Sequence, residues 1–310
     1  MQTLSPQRHP PFPPILALLV GVVAVSTGAI FIRLADEAPA LVIAAYRVGL
    51  AVLILLPIAW WRARDELRRL AWQDIRLALL AGVFLAIHFI TWVSSLDYTT
   101  VASSVVLVNT NPLWVALLTP FISHDRLSRR AIFGIVVSVI GGVIVGMGDF
   151  AVGGKALWGD ILAILGSISA ALYILMGRRL RQHLSLLVYV TLCYGMAAVL
   201  LWALVLILGY PITGYQPATY GWFLAMALVP QLIGHSAYNW ALEWFSAGVI
   251  AVSLLGEPIG STLLAYFILG EAVTIPKIIG GAFILGGIYI VTRAEPEELV
   301  EDIAHAQGVD

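Results

Sequence analysis

Cysteine is almost missing from this chain. The one Cys193 lies inside an apolar run, which excludes an intramolecular disulfide. Charge is scarce as well: 11% of the residues are charged and 60% are hydrophobic, with a mean hydropathy of +0.94. A surface so poor in charge cannot face water over most of its area, so lipid is the expected solvent. The six histidines (His9, His88, His124, His183, His235 and His305) show no metal-ligand spacing. Catalytic signatures are missing too: there is no GxSxG, HExxH or GxGxxG. The run Gly148 to Lys155 resembles a phosphate loop only superficially, because Asp149 stands where the first glycine is needed and Ala156 replaces the hydroxyl residue. No metal, no cofactor and no catalytic residues are expected.

What is present is apolar length. Ten stretches can each cross a bilayer at about 20 residues per span: roughly 15 to 34, 41 to 61, 76 to 96, 101 to 121, 130 to 148, 157 to 177, 186 to 208, 219 to 240, 247 to 268 and 276 to 293. The expectation is an all-α multi-pass membrane protein with ten transmembrane helices and short connections. With the N-terminus inside the cell, the inner connections carry thirteen Lys and Arg and the outer ones only Arg33, Lys155 and Lys277. The positive-inside rule then places both termini in the cytoplasm. The formal charge of -1 therefore hides an asymmetry across the membrane and argues against a nucleic-acid partner. Arg62 to Asp74 alternates Arg with acids around Leu67, Leu70 and Trp72, which suits a short interfacial helix. The acidic tail from Glu295 to Asp310 is expected to be a solvated or frayed end.

The second half repeats the first. Ala102 to Gly148 aligns with Gly248 to Ala294 at an offset of 146, which sets Asn111-Pro112 on Glu257-Pro258, Asp125 on Glu271, Gly134 on Gly280 and Gly141 on Gly287. Five crossings per copy make the copies inverted, as in many carriers that work around a midplane site. The glycines of the fifth and tenth spans favour close helix packing and also offer a face for a homodimer.

Ionisable residues inside the hydrocarbon are costly and mark pathways, so Arg47, His88, His235 and Glu257 come first. Arg47 is close enough to an end of its span to snorkel and reads as structural. Glu257 shares a helix face with Ser253 and Ser261, beside Pro258 and between Gly256 and Gly260, where a helix can bend or unwind. In the eighth span Gln231, His235, Tyr238 and Asn239 form a polar stripe, matched in the third by His88, Thr91, Trp92 and Ser95. Trp92 falls on Tyr238 at the repeat offset, so the two aromatics are expected to face each other across a cavity. Each histidine reads equally well as a satisfied interhelical hydrogen bond. Asn109 and Asn111 stand in the fourth span, and Tyr173 and Ser26 are weaker candidates for the same wall.

Glu257-Pro258, Gly270-Glu271, Gly280 and Gly287 make the second half similar to the EamA-type half of the drug/metabolite transporter superfamily, with the first half as its sister repeat. The resemblance runs from Ile15 to Arg293. It implies a ten-helix inner-membrane carrier with repeats at 15–148 and 157–293, a leader at 1–14, a connecting loop at 149–156 and a tail at 294–310. It also implies a central cavity walled by helices one, three, four, six, eight and nine, and a trade in amino acids or other small metabolites, imported or exchanged by some relatives. The first half departs from the pattern, with Asn111-Pro112 and His124-Asp125 at the motif positions.

The expected activity is therefore export of a small polar or amphipathic metabolite by alternating access. Trp92 and Tyr238 would stack on it, Asn111, Gln231 and Asn239 would hydrogen-bond it, and Glu257 would meet an amine or take a proton. His88, His235 and Tyr173 would complete the wall, with hinges at Pro112 and Pro258. A passive channel fits the same helices, and an intramembrane enzyme using His88, His235 and Glu257 is a third reading.

Overall fold

The computed structural model describes residues 10–95, 97–98, 104, 107–122, 128–146, 154–270 and 273–306. Among these the chain is helical throughout and has no strand. In order, the elements are α1 (Pro14–Leu34), α2 (Ala40–Arg62), α3 (Arg64–Arg69), α4 (Trp72–Ser95), α5 (Asn111–Ile122), α6 (Arg129–Gly146), α7 (Lys155–Arg181) and α8 (Leu186–Ile207). Then follow α9 (Pro217–Met226), a π-helical segment (Ala227–His235), α10 (Ser236–Ala241), α11 (Ala247–Leu254), α12 (Gly256–Leu264), a second π segment (Ala265–Leu269) and α13 (Ile275–Ala306). His9, His124, Asp125, Gly148, Asp149 and Glu271, on which several sequence expectations fall, lie outside the described residues.

Among the described residues, six stretches are long and apolar enough to cross a bilayer: Pro14–Leu34, Ala40–Arg62, Trp72–Ser95, Lys155–Arg181, Leu186–Ile207 and Ala247–Ile268. Asn111–Ile122 and Ile278–Ala294 are shorter apolar helices. The expected eighth span is divided into α9, the π segment and α10. The last helix continues past Arg293 to Ala306, so the acidic segment expected to be solvated or frayed is helical. Within the segment Arg62 to Asp74, where a short helix was expected, lies α3.

Local sequence explains the starts and breaks. Pro14 occupies the first turn of α1, where its missing N–H costs nothing. The Ser185 and Ser246 side chains accept the Val188 and Val249 amides at the starts of α8 and α11. Gly270 closes the second π segment at φ +70°, a conformation that costs any other residue strain, which accounts for glycine at this motif position. Large aliphatic and aromatic side chains such as Val23, Leu53, Leu117 and Phe267 face outward, whereas many contacts between helices fall on alanine and glycine. That arrangement suits a lipid solvent, in which association depends on close backbone approach.

The helices of the two sequence halves interleave. α1 packs on the π segment, α10 and α12, while α7 packs on α4 and α5. Tyr238 lies against Gly21 and Val25 against Gly234; Ser261 Oγ donates to the Ser26 carbonyl at 3.1 Å. In the mirror arrangement Thr91 and Trp92 lie against Gly166, and the Thr110 and Ser167 hydroxyls are 3.0 Å apart. The first helix of each half thus docks on the third and fourth spans of the other. Remaining contacts join α2 to α8, α4 to α8 and α6 to α13.

The α6–α13 pair is the most extensive. A methyl at Gly134 would come within 2.9 Å of the Gly287 carbonyl, and one at Gly141 within 2.6 Å of the Gly280 carbonyl. These glycine faces therefore meet each other within one chain, whereas Gly142 and Gly286 have nothing within 4 Å and stand outside the seam.

Candidate functional site

Arg47 is the centre around which the polar residues gather. Snorkelling to an interface was expected, but the side chain points inward and is only 5% exposed. Two contacts hold it there. Its Nε–H donates to Gln231 Oε1 at 2.9 Å, and its guanidinium lies 4.7 Å from the centre of the Phe89 ring. Gln231, fully buried in the π segment, has its own Nε2 unpartnered among the described residues. A π segment widens the helix and recurs at functional sites, and here it places Gln231 against α2. Arg47 also acts electrostatically on Glu257, His88, His235, Tyr173 and Tyr194.

Glu257 sits in the first turn of α12, directly after the break at Leu255. The Leu255 amide turns back to the Val252 carbonyl, ending α11, and Pro258 cannot supply an amide to rejoin the ladder. Ser26 Oγ approaches the Glu257 backbone carbonyl at 3.4 Å and so fixes the break to α1. The Glu257 side chain is half-buried and receives no hydrogen bond or ion pair among the described residues. It interacts electrostatically with Arg47 and with Tyr238. The repeat-related Asn111 occupies the corresponding place: it opens α5, directly after the turn at Asn109 and Thr110, and its buried Oδ1 has no partner among the described residues. Both spans therefore present a side chain at a helix N-terminus, where the first amides lack intrahelical partners.

The other expected residues fall into two groups. Trp92 and Tyr238 are buried with their Nε1 and hydroxyl groups unpartnered among the described residues. They do not stack on each other: Trp92 lies parallel to His88 at 5.9 Å on α4, and Tyr238 covers Gly21 on α1. His235 rests against Phe89 at 5.8 Å, and among the described residues no hydrogen bond reaches its ring. In contrast, His88 is tied into the fold, because Nδ1–H donates to the Gly166 carbonyl at 3.0 Å. Asn239 is occupied as well. Its Oδ1 accepts from Tyr173 Oη at 2.7 Å, its Nδ2 donates to Tyr194 Oη at 2.9 Å, and its carbonyl accepts from Arg181 Nε at 3.0 Å. The amide expected to bind solute instead joins α7, α8 and α10.

Arg47, named as a candidate but read as structural, lies among these polar groups together with Phe89 and Tyr194, which the sequence reading did not single out. Only Arg47 gave a signal, a charge within an apolar run; the other two read as ordinary core.

Each end of the bundle carries a polar clasp between the halves. At one end Glu37 Oε1 accepts from the Gln216 amide at 2.7 Å and from Thr219 Oγ1, tying the α1–α2 loop to the start of α9. At the other, His183 Nε2 meets Asp74 Oδ1 at 3.0 Å, and the Ser185 amide donates to Glu66 Oε1 at 2.8 Å. This second clasp ties the α7–α8 loop to the approach and start of α4. Glu37 and His183 are themselves 146 residues apart. Among the described residues no cluster of His, Cys, Asp or Glu could hold a metal ion.

Comparison with known proteins adds the family context. The family model described as "EamA-like transporter family" matches twice, at residues 12–147 and 157–293. An uncharacterized transporter of Archaeoglobus fulgidus is 25% identical over 264 residues, covering 82% of this chain and 88% of the relative. The thiamine-repressible mitochondrial transport protein THI74 of Saccharomyces cerevisiae is 26% identical, over 75% of this chain and 66% of its own. A solved crystal structure shares the fold at a TM-score of 0.75 and 20% identity, covering 92% of this chain and 98% of that one.

Proposed function

Because this chain belongs to the EamA-like transporter family, a family of transporters and not of enzymes, we propose that it is a ten-helix secondary carrier exporting a small polar or amphipathic metabolite, with amino acids as the leading class. The two repeats, 15–148 and 157–293, are inverted five-helix units joined by the 149–156 loop. The protein is a multi-span membrane protein; its proposed place is the inner, plasma membrane with both termini cytoplasmic.

One observation carries this reading: a carboxylate without a hydrogen-bond or ion-pair partner among the described residues, at the break between α11 and α12, within the electrostatic reach of a buried arginine. Charged groups left unneutralised by close contacts inside a membrane protein are the usual mark of a transport path. Trp92 and Tyr238 offer apolar faces with a free polar tip, while Gln231 Nε2 and Asn111 Oδ1 offer a donor and an acceptor. In this reading His235 and Glu257 face the solute, whereas His88, Tyr173 and Asn239 hold the wall in shape.

Interleaving gives alternating access a specific form. The rocking bodies are not the sequence halves but two mixed bundles, α1 with the eighth and ninth spans, and α7 with the third and fourth. Pro112 and Pro258 mark the hinges, and the Glu37 and Asp74–His183 clasps open in turn at the outer and inner faces. Counterflow in proteoliposomes tests the carrier. Saturable uptake of a labelled amino acid, accelerated by the same solute loaded inside, is the expected result; flux without saturation or trans-stimulation would make it a channel.

A further inference from the structure

We propose, resting on the carrier reading, that Arg47 is a specificity-determining residue that binds a carboxylate of the transported solute through the free end of its guanidinium. The observation behind this is a contrast between two buried arginines. Arg181 is 2% exposed and spends its donors inside the fold: Nε on the Asn239 carbonyl, Nη1 on the Leu184 carbonyl and Nη2 on the Glu243 carboxylate. Arg47 is 5% exposed and spends only Nε, on Gln231. Its two terminal nitrogens have no hydrogen bond or ion pair among the described residues.

The geometry selects what can approach. Phe89 covers one face of the guanidinium, and the N–H donors point outward along its edges, where a hydrogen-bonding ligand must meet them. Gln231 holds the Nε side, which leaves the Nη1–Nη2 edge as the available fork, and that edge matches the two oxygens of a carboxylate. Gly28 keeps the backbone of α1 clear beside Nη1: even a methyl there would stand 3.9 Å away. Glu257 feels the charge of Arg47 yet makes no ion pair with it within 4.0 Å among the described residues. The two groups therefore act on each other without pairing. A solute with a carboxylate at one end and an ammonium at the other satisfies both groups, whereas an amine or an amide leaves the arginine unmatched in a membrane interior.

The test uses the full chain in proteoliposomes and matched solutes: leucine with leucinamide, phenylalanine with phenylalaninamide, and glutamine with its α-amide. Inhibition of counterflow should favour the acid of at least one pair by about tenfold or more, the usual effect of a hydrogen-bonded charge. Arg47→Gln should bring that ratio to about one while the amide retains its affinity. Arg47→Lys, which keeps the charge but not the fork, should retain part of the preference. Gln231→Leu, which frees the guanidinium to turn, should weaken the acid selectively and serves if the Arg47→Gln chain does not fold. Equal inhibition by acid and amide in the unmodified protein, or an equal loss of both in Arg47→Gln, would overturn the assignment. Saturable counterflow of amides or amines that is indifferent to Arg47 would do so while leaving the carrier intact. No trans-stimulated flux of any of these solutes would count against both.

Discussion

The Ser138 hydroxyl on α6 approaches the carbonyl of Ile284 on α13 at 3.4 Å, and these residues are 146 positions apart. That is the offset relating the two halves, so each residue meets its own counterpart. The neighbours exchange places about this point: Gly134 meets Gly287 while Gly141 meets Gly280, where 134 corresponds to 280 and 141 to 287. A contact in which each position meets its equivalent, with partners crossing over symmetrically, describes two antiparallel helices related by a local two-fold axis. This symmetry belongs to the α6–α13 pair itself.

The glycines at this crossing should tolerate no side chain. A Cβ at Gly141 would press on the backbone at Gly280 and Ile284, which cannot swing aside, whereas one at Gly142 meets nothing within 4 Å. Gly141→Leu is expected to lower the thermal midpoint sharply, by at least the roughly 1–3 kcal/mol of overpacking. Gly142→Ala should hold or slightly raise the midpoint, since alanine favours a helix interior over glycine where space allows, and a fluorescence melt of both proteins in detergent compares them.

Glu257→Gln removes a charge without changing shape. If this carboxylate exchanges a proton or meets an ammonium group, the variant should elute and melt like the parent yet lose most of the pH dependence of counterflow. Rates measured from pH 5.5 to 8.5 decide it. A parent-like profile would remove Glu257 from the mechanism.

Asn239 separates a structural role from direct binding. Asn239→Ala leaves the hydroxyls of Tyr173 and Tyr194 without their shared partner, a loss of about 1–3 kcal/mol for buried groups. The expected outcome is a lower thermal midpoint, largely recovered when Tyr173→Phe is added to remove one orphaned hydroxyl. Solute affinity should change less than in Trp92→Ala.

The clasps at the two ends should control opposite entrances. Cys193 is buried, so Cys193→Ser combined with His235→Cys gives one reporting thiol in the site. In sealed vesicles of defined orientation, Glu37→Ala should speed labelling by an impermeant maleimide from the outer face, and Asp74→Ala from the inner face. Acceleration from one face by both variants would mean that the clasps are not separate gates.

Hydropathy made most of the helices legible, because a span must bury its own backbone polar groups whatever surrounds it. The break at Glu257-Pro258 was legible for a similarly local reason, proline's missing amide. Which faces meet was not. Arg47 sits near a span end and invites snorkelling, and only the placement of Phe89 and Gln231, 42 and 184 residues away, turns it inward. Asn239 shows the same limit in reverse. Its polar character was legible, but the two tyrosines on other helices that hold its amide were not.

The interleaved packing also bears on biosynthesis. Chains enter the membrane N-terminus first, so α1 and α6 are made well before the helices they pack on, α12 and α13. Until the last helix is made, Gly134 and Gly141 lack the partner that covers them. A ribosome that stalls within the final quarter of the message would therefore release a chain with its helices threaded but its most extensive seam open, a form suited to recognition by membrane quality control.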